Sequence, residues 1–276
     1  MALPLVVTPA ILAEKLATIQ ADGGTPRQSY LCLVDLRSEE LYAAGHIAGA
    51  VRGDASLLNR SEKPVGGLMP EPAAVNQFLQ SIGANLGDHI VAYDNGRETA
   101  AARLMWVLDA YGYEAGSWLD GGYTAWSAAS LPIDTTNSKP QAGNLSLSLI
   151  GDNVISAEGL IAALDSPNIR ILDVRSAAEF SGKDVRSRFG GHVPGASHLE
   201  WTSQLDERGS LLAEEALKAQ LAERQIEPEH TVVVYCQTHQ RSAVTYVALK
   251  NLGYEDVRAL DGAWSNWGNR EDTPKA

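Results

Sequence analysis

The sequence predicts an α/β protein built from two tandem copies of one unit, each a largely parallel central sheet flanked by helices. Three observations predict it. The chain matches itself at an offset of roughly 140 residues. Each copy alternates short apolar runs with segments of helical period, the pattern of βα units. The length, 276 residues, suits two domains of ordinary size, each able to bury its own core.

The repeat falls into three blocks. LCLVDLRSEELYAAGHIAGAV at 31–51 aligns with IRILDVRSAAEF at 169–180 and, after an insertion, with GGHVPGAS at 190–197, so Asp35 and Arg37 pair with Asp173 and Arg175. HIVAYDNGRETAAARLMWVLDAYGYE at 89–114 aligns with HTVVVYCQTHQRSAVTYVALKNLGYE at 230–255, which puts Asp94 where the second copy has Cys236. LDGGYTAW at 119–126 aligns with LDGAWSNW at 260–267. Within the second block, VVVY at 232–235 has the β-branched, apolar character of a buried strand, and SAVTYVALKNLGY at 242–254 carries apolar residues at helical spacing up to Gly253. Cys236 is therefore expected at a strand-to-helix junction. The Pro-, Ser-, Asn- and Gly-rich stretch 131–152 reads as the connection. The expected division is a first domain over 1–138, a linker over 139–152 and a second domain over 153–276.

Composition narrows the function. With 45% hydrophobic and 20% charged residues the chain has a globular balance. Its 22 basic and 34 acidic residues leave a formal charge of -12, which repels phosphate backbones and anionic lipid and argues against a nucleic-acid partner. No run approaches the roughly 18 apolar residues of a membrane span. The stretch MALPLVVTPAILAEKL lacks the basic n-region of a secretory signal, so a cytoplasmic location is expected. The only cysteines, Cys32 and Cys236, lie in different halves inside apolar runs, a poor basis for a disulfide framework.

The chemistry concentrates in Cys236–Arg241. The C-terminal ends of parallel strands face the ligand crevice of an open α/β sheet, and a helix starting there points free N–H groups into it. Helix dipoles and nearby cations, here His239 and Arg241, favour a thiolate. Successive N–H groups curling around the sulfur can also hold the longer anion of a persulfide. Four residues separate Cys236 from Arg241. A cysteine phosphatase loop has one residue more and wraps a tetrahedral phosphoryl group. The tighter loop favours sulfur transfer over phosphatase or arsenate-reductase chemistry.

The duplication, the GHxxGA segments and the cysteine-headed six-residue loop resemble the tandem-domain rhodanese family of sulfurtransferases over nearly the whole chain. Cys-Gln-Thr-His-Gln-Arg is similar to the Cys-Gln-Thr-His-His-Arg loop of a bacterial thiosulfate-transferring group. It differs from the vertebrate Cys-Arg-Lys-Gly-Val-Thr and the mercaptopyruvate-type Cys-Gly-Ser-Gly-Val-Thr. The resemblance implies a catalytically inactive first domain with Asp94 at the cysteine position, and a second domain in which Cys236 takes the outer sulfur of thiosulfate. The persulfide then passes to cyanide or another thiophilic acceptor such as a dithiol protein. It implies no metal and no organic cofactor. Gln237, Thr238, His239, Gln240, Arg241 and Arg175 are the implied substrate-binding positions. A further family arginine is replaced by Glu179, and Arg186 or Arg188, from the insertion between Arg175 and His192, are candidates to supply that charge. A 3-mercaptopyruvate sulfurtransferase and a persulfide carrier serving a protein partner remain open as alternatives.

Other residues have plainer readings. Cys32 lies in an alternating core pattern and reads as an inert packed thiol. His46 and His192 occupy equivalent places in both copies, which points to fold maintenance. Asp35 with Arg37 and Asp173 with Arg175 have a structural pair as the simplest explanation, with substrate contact by Arg175 as the alternative. Trp201, Trp264 and Trp267 read as packing residues.

Overall fold

Strands at the centre of a parallel sheet are buried on both faces and read as continuous apolar runs. The computed structural model, which describes residues 3–96, 98–137 and 139–276, places four such runs at the centres of two sheets. Met1 and Ser138, the ends of the expected first domain, lie outside the described residues. In chain order the first half supplies β1 (Val6–Val7), β2 (Leu31–Asp35), β3 (His46–Ile47), β4 (Val51–Arg52), β5 (Arg60–Glu62), β6 (Val65–Leu68), β7 (His89–Tyr93), β8 (Gly116–Leu119) and β9 (Ile133–Asp134). The second half supplies β10 (Val154–Ile155), β11 (Ile169–Asp173), β12 (Ala196–His198), β13 (Thr231–Tyr235) and β14 (Val257–Leu260).

The two five-stranded sheets have the same topology, β1-β8-β7-β2-β4 and β10-β14-β13-β11-β12, with every neighbouring pair parallel. Their registers coincide as well. Asp35 faces Tyr93 in the first and Asp173 faces Tyr235 in the second. Helices Ala100–Ala110 and Arg241–Asn251 follow the two central strands, and each buries eight or more of its residues, as a helix packed into an α/β core must. The helix predicted over 242–254 starts one residue earlier and stops at Asn251, because Gly253 turns the chain at φ +88°.

Local signals recur with the fold. Ser38 and Ser176 cap equivalent short helices through their side chains, and Ser176 closes a full capping box with Glu179. His46 and His192 each place Nδ1 2.9 Å from a carbonyl, Tyr42 and Phe180, and stack on those same rings at 3.9 and 3.8 Å. Their equal environments fit the fold-maintenance reading.

Two compact units divide the chain, and each includes a short piece from the other half of the sequence. The first unit comprises 1–58, 70–149 and 207–211; the second comprises 59–69, 150–206 and 212–276. The imported pieces are anchored alike. Leu211 N–H donates to Asp120 Oδ1 at 2.8 Å in the first unit, and Met69 N–H donates to Asp261 Oδ1 at 2.8 Å in the second. Asp120 and Asp261 are equivalent residues of the LDG turns. Among the described residues, no helix is long and apolar enough to cross a membrane.

Candidate active site

Cys236 is the first residue past β13, at 1% exposure, and helix Arg241–Asn251 begins five residues later, so the loop lies at the predicted junction. Its start is tied to helix Ala263–Trp267: the Cys236 carbonyl accepts from Trp264 N–H at 3.0 Å and the Gln237 carbonyl from Ser265 N–H at 2.9 Å. The first N–H groups of a helix have no intrahelical carbonyl to bind, and this helix starts at Arg241. A helix start of this kind attracts anions.

The loop side chains are committed to holding its shape. Gln237 Nε2 donates to Ser187 Oγ at 3.0 Å and to the Arg186 carbonyl at 3.4 Å. His239, expected to lend charge to substrate, is fully buried at φ +51°, with Nδ1 2.7 Å from Ser242 Oγ. Its imidazole is turned into the protein. Gln240 Nε2 donates to Asn59 Oδ1. Arg241 stands at the end of the loop, as the first residue of the helix.

Hairpin β5–β6 lies against this loop, and the sequence reading assigned it no role. Ser265 Oγ donates to the Gly66 carbonyl at 2.7 Å and accepts from Gly66 N–H at 2.9 Å. At Gly67, φ +72°, an added Cβ would sit 2.0 Å from the Thr238 carbonyl oxygen, so only glycine lets the hairpin and loop backbones meet. The Gly66–Gly67 pair inside a β-type segment was the available signal, since glycine in a strand marks close backbone approach.

Arg241 reaches a residue 62 positions earlier in the chain: Nη1 donates to Glu179 Oε2 at 2.7 Å and Nη2 to Oε1 at 2.8 Å. Glu179 is 1% exposed and also accepts from the Ser176 amide and hydroxyl at 3.1 and 3.0 Å. Burial alone would raise its pKa; the hydrogen bonds and charge of Arg241, with the Ser176 donors, override it and hold the carboxyl at about 2. Burial also opposes the charge on Arg241, which Glu179 and the neighbouring Cys236 sulfur more than restore, raising its pKa above the ordinary value.

The remaining candidate arginines separate. Arg175 donates from Nε to both oxygens of Asp173 at 3.0 Å, from Nη2 to Asp173 Oδ2 at 2.6 Å and to the Gly191 carbonyl at 2.7 Å, and lies 4.4 Å from the Trp264 ring centre. Arg37 has the same set in the copy that holds Asp94 at the junction: Asp35, the Gly45 carbonyl at 2.6 Å and the Tyr123 ring at 3.7 Å. At 1% exposure Arg175 is held in this pair. Arg188 pairs with Glu271 at 2.6 Å, both side chains being exposed. Arg186 stays near the loop, 2.9 Å from Asp184 and 3.7 Å from Glu179, with its side chain half exposed.

In the first copy the equivalent position holds Asp94, fully buried, with Oδ1 accepting from Gly96 N–H at 2.9 Å and Oδ2 from Ala101 N–H at 3.0 Å. Desolvation raises its pKa to about 6 against the pull of those two N–H groups. Cys32 is a packed thiol, pushed by burial up to about 12. Among the described residues, no group of three or more His, Cys, Asp or Glu side chains is placed to hold a metal ion.

Fold and site together define a class: a duplicated α/β protein that presents one cysteine at a strand-to-helix loop lined by backbone N–H groups. A rhodanese-like domain profile matches residues 12–129 and again 156–270, and the chain belongs to the rhodanese family. It is similar to the thiosulfate sulfurtransferase of Azotobacter vinelandii, 35% identical over 272 residues, covering 99% of this chain and 97% of that protein. It is also similar to the 3-mercaptopyruvate sulfurtransferase of Escherichia coli (strain K12), 30% identical over 236 residues and 84% of each chain. The crystal structure of a 3-mercaptopyruvate sulfotransferase from Escherichia coli matches with a TM-score of 0.78 at 26% identity, over 95% of this chain and 99% of that one.

Proposed function

We propose that this protein is a sulfurtransferase that moves the sulfane sulfur of thiosulfate through a persulfide on Cys236 to a thiophilic acceptor, cyanide or a dithiol protein. The observation that carries the reading is the junction after the central strand. In the first copy it holds a carboxylate on two backbone N–H groups, and in the second it presents a sulfur beside Arg241. The likeness to a thiosulfate sulfurtransferase over nearly the whole of both chains supports the same donor.

The Cys236 thiolate attacks the outer sulfur of thiosulfate; the new S–S bond forms as the old one breaks, and sulfite leaves with the electron pair. The persulfide anion rests on the loop N–H groups from Gln237 to Arg241, with the Arg241 charge at the loop's end. An acceptor nucleophile then takes the outer sulfur and returns Cys236 as thiolate; cyanide leaves as thiocyanate. In this reading 1–138 is a catalytically inactive first domain, 139–152 the linker and 153–276 the catalytic domain, which borrows hairpin β5–β6. Both cysteines are free thiols, which suits a reducing compartment such as the cytoplasm.

Intact mass after thiosulfate treatment tests the proposal. One added sulfur, removed by cyanide, is expected in the wild type and in Cys32→Ala, and none in Cys236→Ala. A gain that persists in Cys236→Ala, or no gain in the wild type, overturns it.

A further inference from the structure

The ion pair between Glu179 and Arg241 belongs only to the copy that carries Cys236. At the equivalent positions the first copy carries Leu41 and, at the first residue of its helix, Ala100, which can form no ion pair, yet its sheet has the same topology and register. The pair is therefore not a requirement of the fold. It is also arranged in a particular way. Both Nη atoms of Arg241 face the two Glu179 oxygens, so the planar fork that would receive a ligand carboxylate already holds one. Arg186, 3.7 Å from Glu179, is itself paired with Asp184, so these four side chains carry no net charge beside the loop.

We propose that Glu179 is a specificity-determining residue of the Cys236 site: by occupying the Arg241 fork it leaves the site to compact sulfur oxyanions and turns away donors that carry a carboxylate. This rests on the sulfurtransferase reading above and deepens it to a donor class. In thiosulfate the anionic oxygens sit on the atom bonded to the transferred sulfur, within reach of the loop N–H groups. In 3-mercaptopyruvate two carbons separate the carboxylate from the sulfur that is transferred, so with that sulfur at Cys236 the carboxylate extends past the loop and needs a side-chain fork. Transfer from that donor forms the S–S bond, breaks the C–S bond and sends the electron pair to the pyruvate enolate, which takes the proton lost by the donor thiol. Glu179 opposes it by holding the fork with a carboxylate that is already buried and ordered.

Glu179→Gln tests this with little risk to the fold, because glutamine also serves at the third position of a capping box. Two ratios are read. The first is kcat/KM for 3-mercaptopyruvate over that for thiosulfate; the second is the alkylation rate of Cys236 by iodoacetate over that by iodoacetamide, which needs no turnover. Both are expected to rise about tenfold in Glu179→Gln, and to stay level when the same change is made in an Arg241→Gln background. Ratios that move less than about twofold, or that rise equally without Arg241, overturn the proposal. If the wild type takes sulfur from neither donor, the sulfurtransferase reading fails instead, and the alkylation ratio still judges Glu179.

Discussion

The loop after β7 and the loop after β13 leave equivalent strands in equivalent sheets, and they hold different things. The first closes on its own anion, the Asp94 carboxylate, with N–H groups of Gly96 and Ala101. The second opens on Cys236 and adds the Glu179–Arg241 pair and a glycine hairpin. Features common to both, the Asp-x-Arg pair, the stacked histidine and the capping serine, maintain the fold. The thiol at the junction, the ion pair and the contact of Gly67 with Thr238 are confined to the second. Duplication thus separates, inside one chain, what the fold repeats from what one copy alone carries.

The strongest way to break this comparison is to move the cysteine. Asp94→Cys in a Cys236→Ala background places a thiol at the first junction without the Glu–Arg pair. Thiocyanate formation is expected to stay at least about a hundredfold below wild type. Recovery to within about tenfold would mean that the junction alone suffices.

A smaller effect is expected at the hairpin. Gly67→Ala forces a Cβ against the Thr238 carbonyl at a left-handed backbone position, and the loop must shift. We expect kcat/KM for thiosulfate to fall about a hundredfold or somewhat less, since displacement by about 1 Å costs that much in a positioned site. Unchanged kinetics in a folded variant would remove the hairpin from the site.

The smallest effects are on stability, and the two copies should respond to pH with opposite signs. Glu179 has a folded pKa of about 2 against an ordinary 4.5, so its contribution is fully present above 4.5 and is lost as pH falls toward 2. Asp94 has a folded pKa of about 6 against 3.8, so its contribution is fully present below 3.8 and is lost as pH rises through 6. Each window is worth at most about 3 kcal/mol. Denaturant unfolding compared across pH should show the wild type losing ground to Glu179→Gln on the acid side and to Asp94→Asn between about pH 4 and 6. Parallel pH profiles for wild type and either variant would contradict that assignment.

Much of this was legible locally. The strand before Cys236 and the helix after it follow from a β-branched run and an apolar helical period, which depend on neighbours in sequence, and the repeat made the reading twice over. The Asp173–Arg175 pair was legible as well, because two residues on a strand end can find each other without help from the rest of the chain. The commitment of His239 to Ser242 was not, since composition records a cation but not where its ring turns.

By itself, then, the sequence determined the duplicated α/β architecture, the junction that carries Cys236 and the loop length that favours sulfur. These rest on periodicity, spacing and short-range contacts. Only the tertiary structure decided that Glu179 takes the Arg241 fork, that Arg188 leaves for Glu271, and that a hairpin from the first half of the chain backs the loop in the second. Those contacts join residues far apart in sequence, and burial selects among many charge-compatible partners only once the chain has folded.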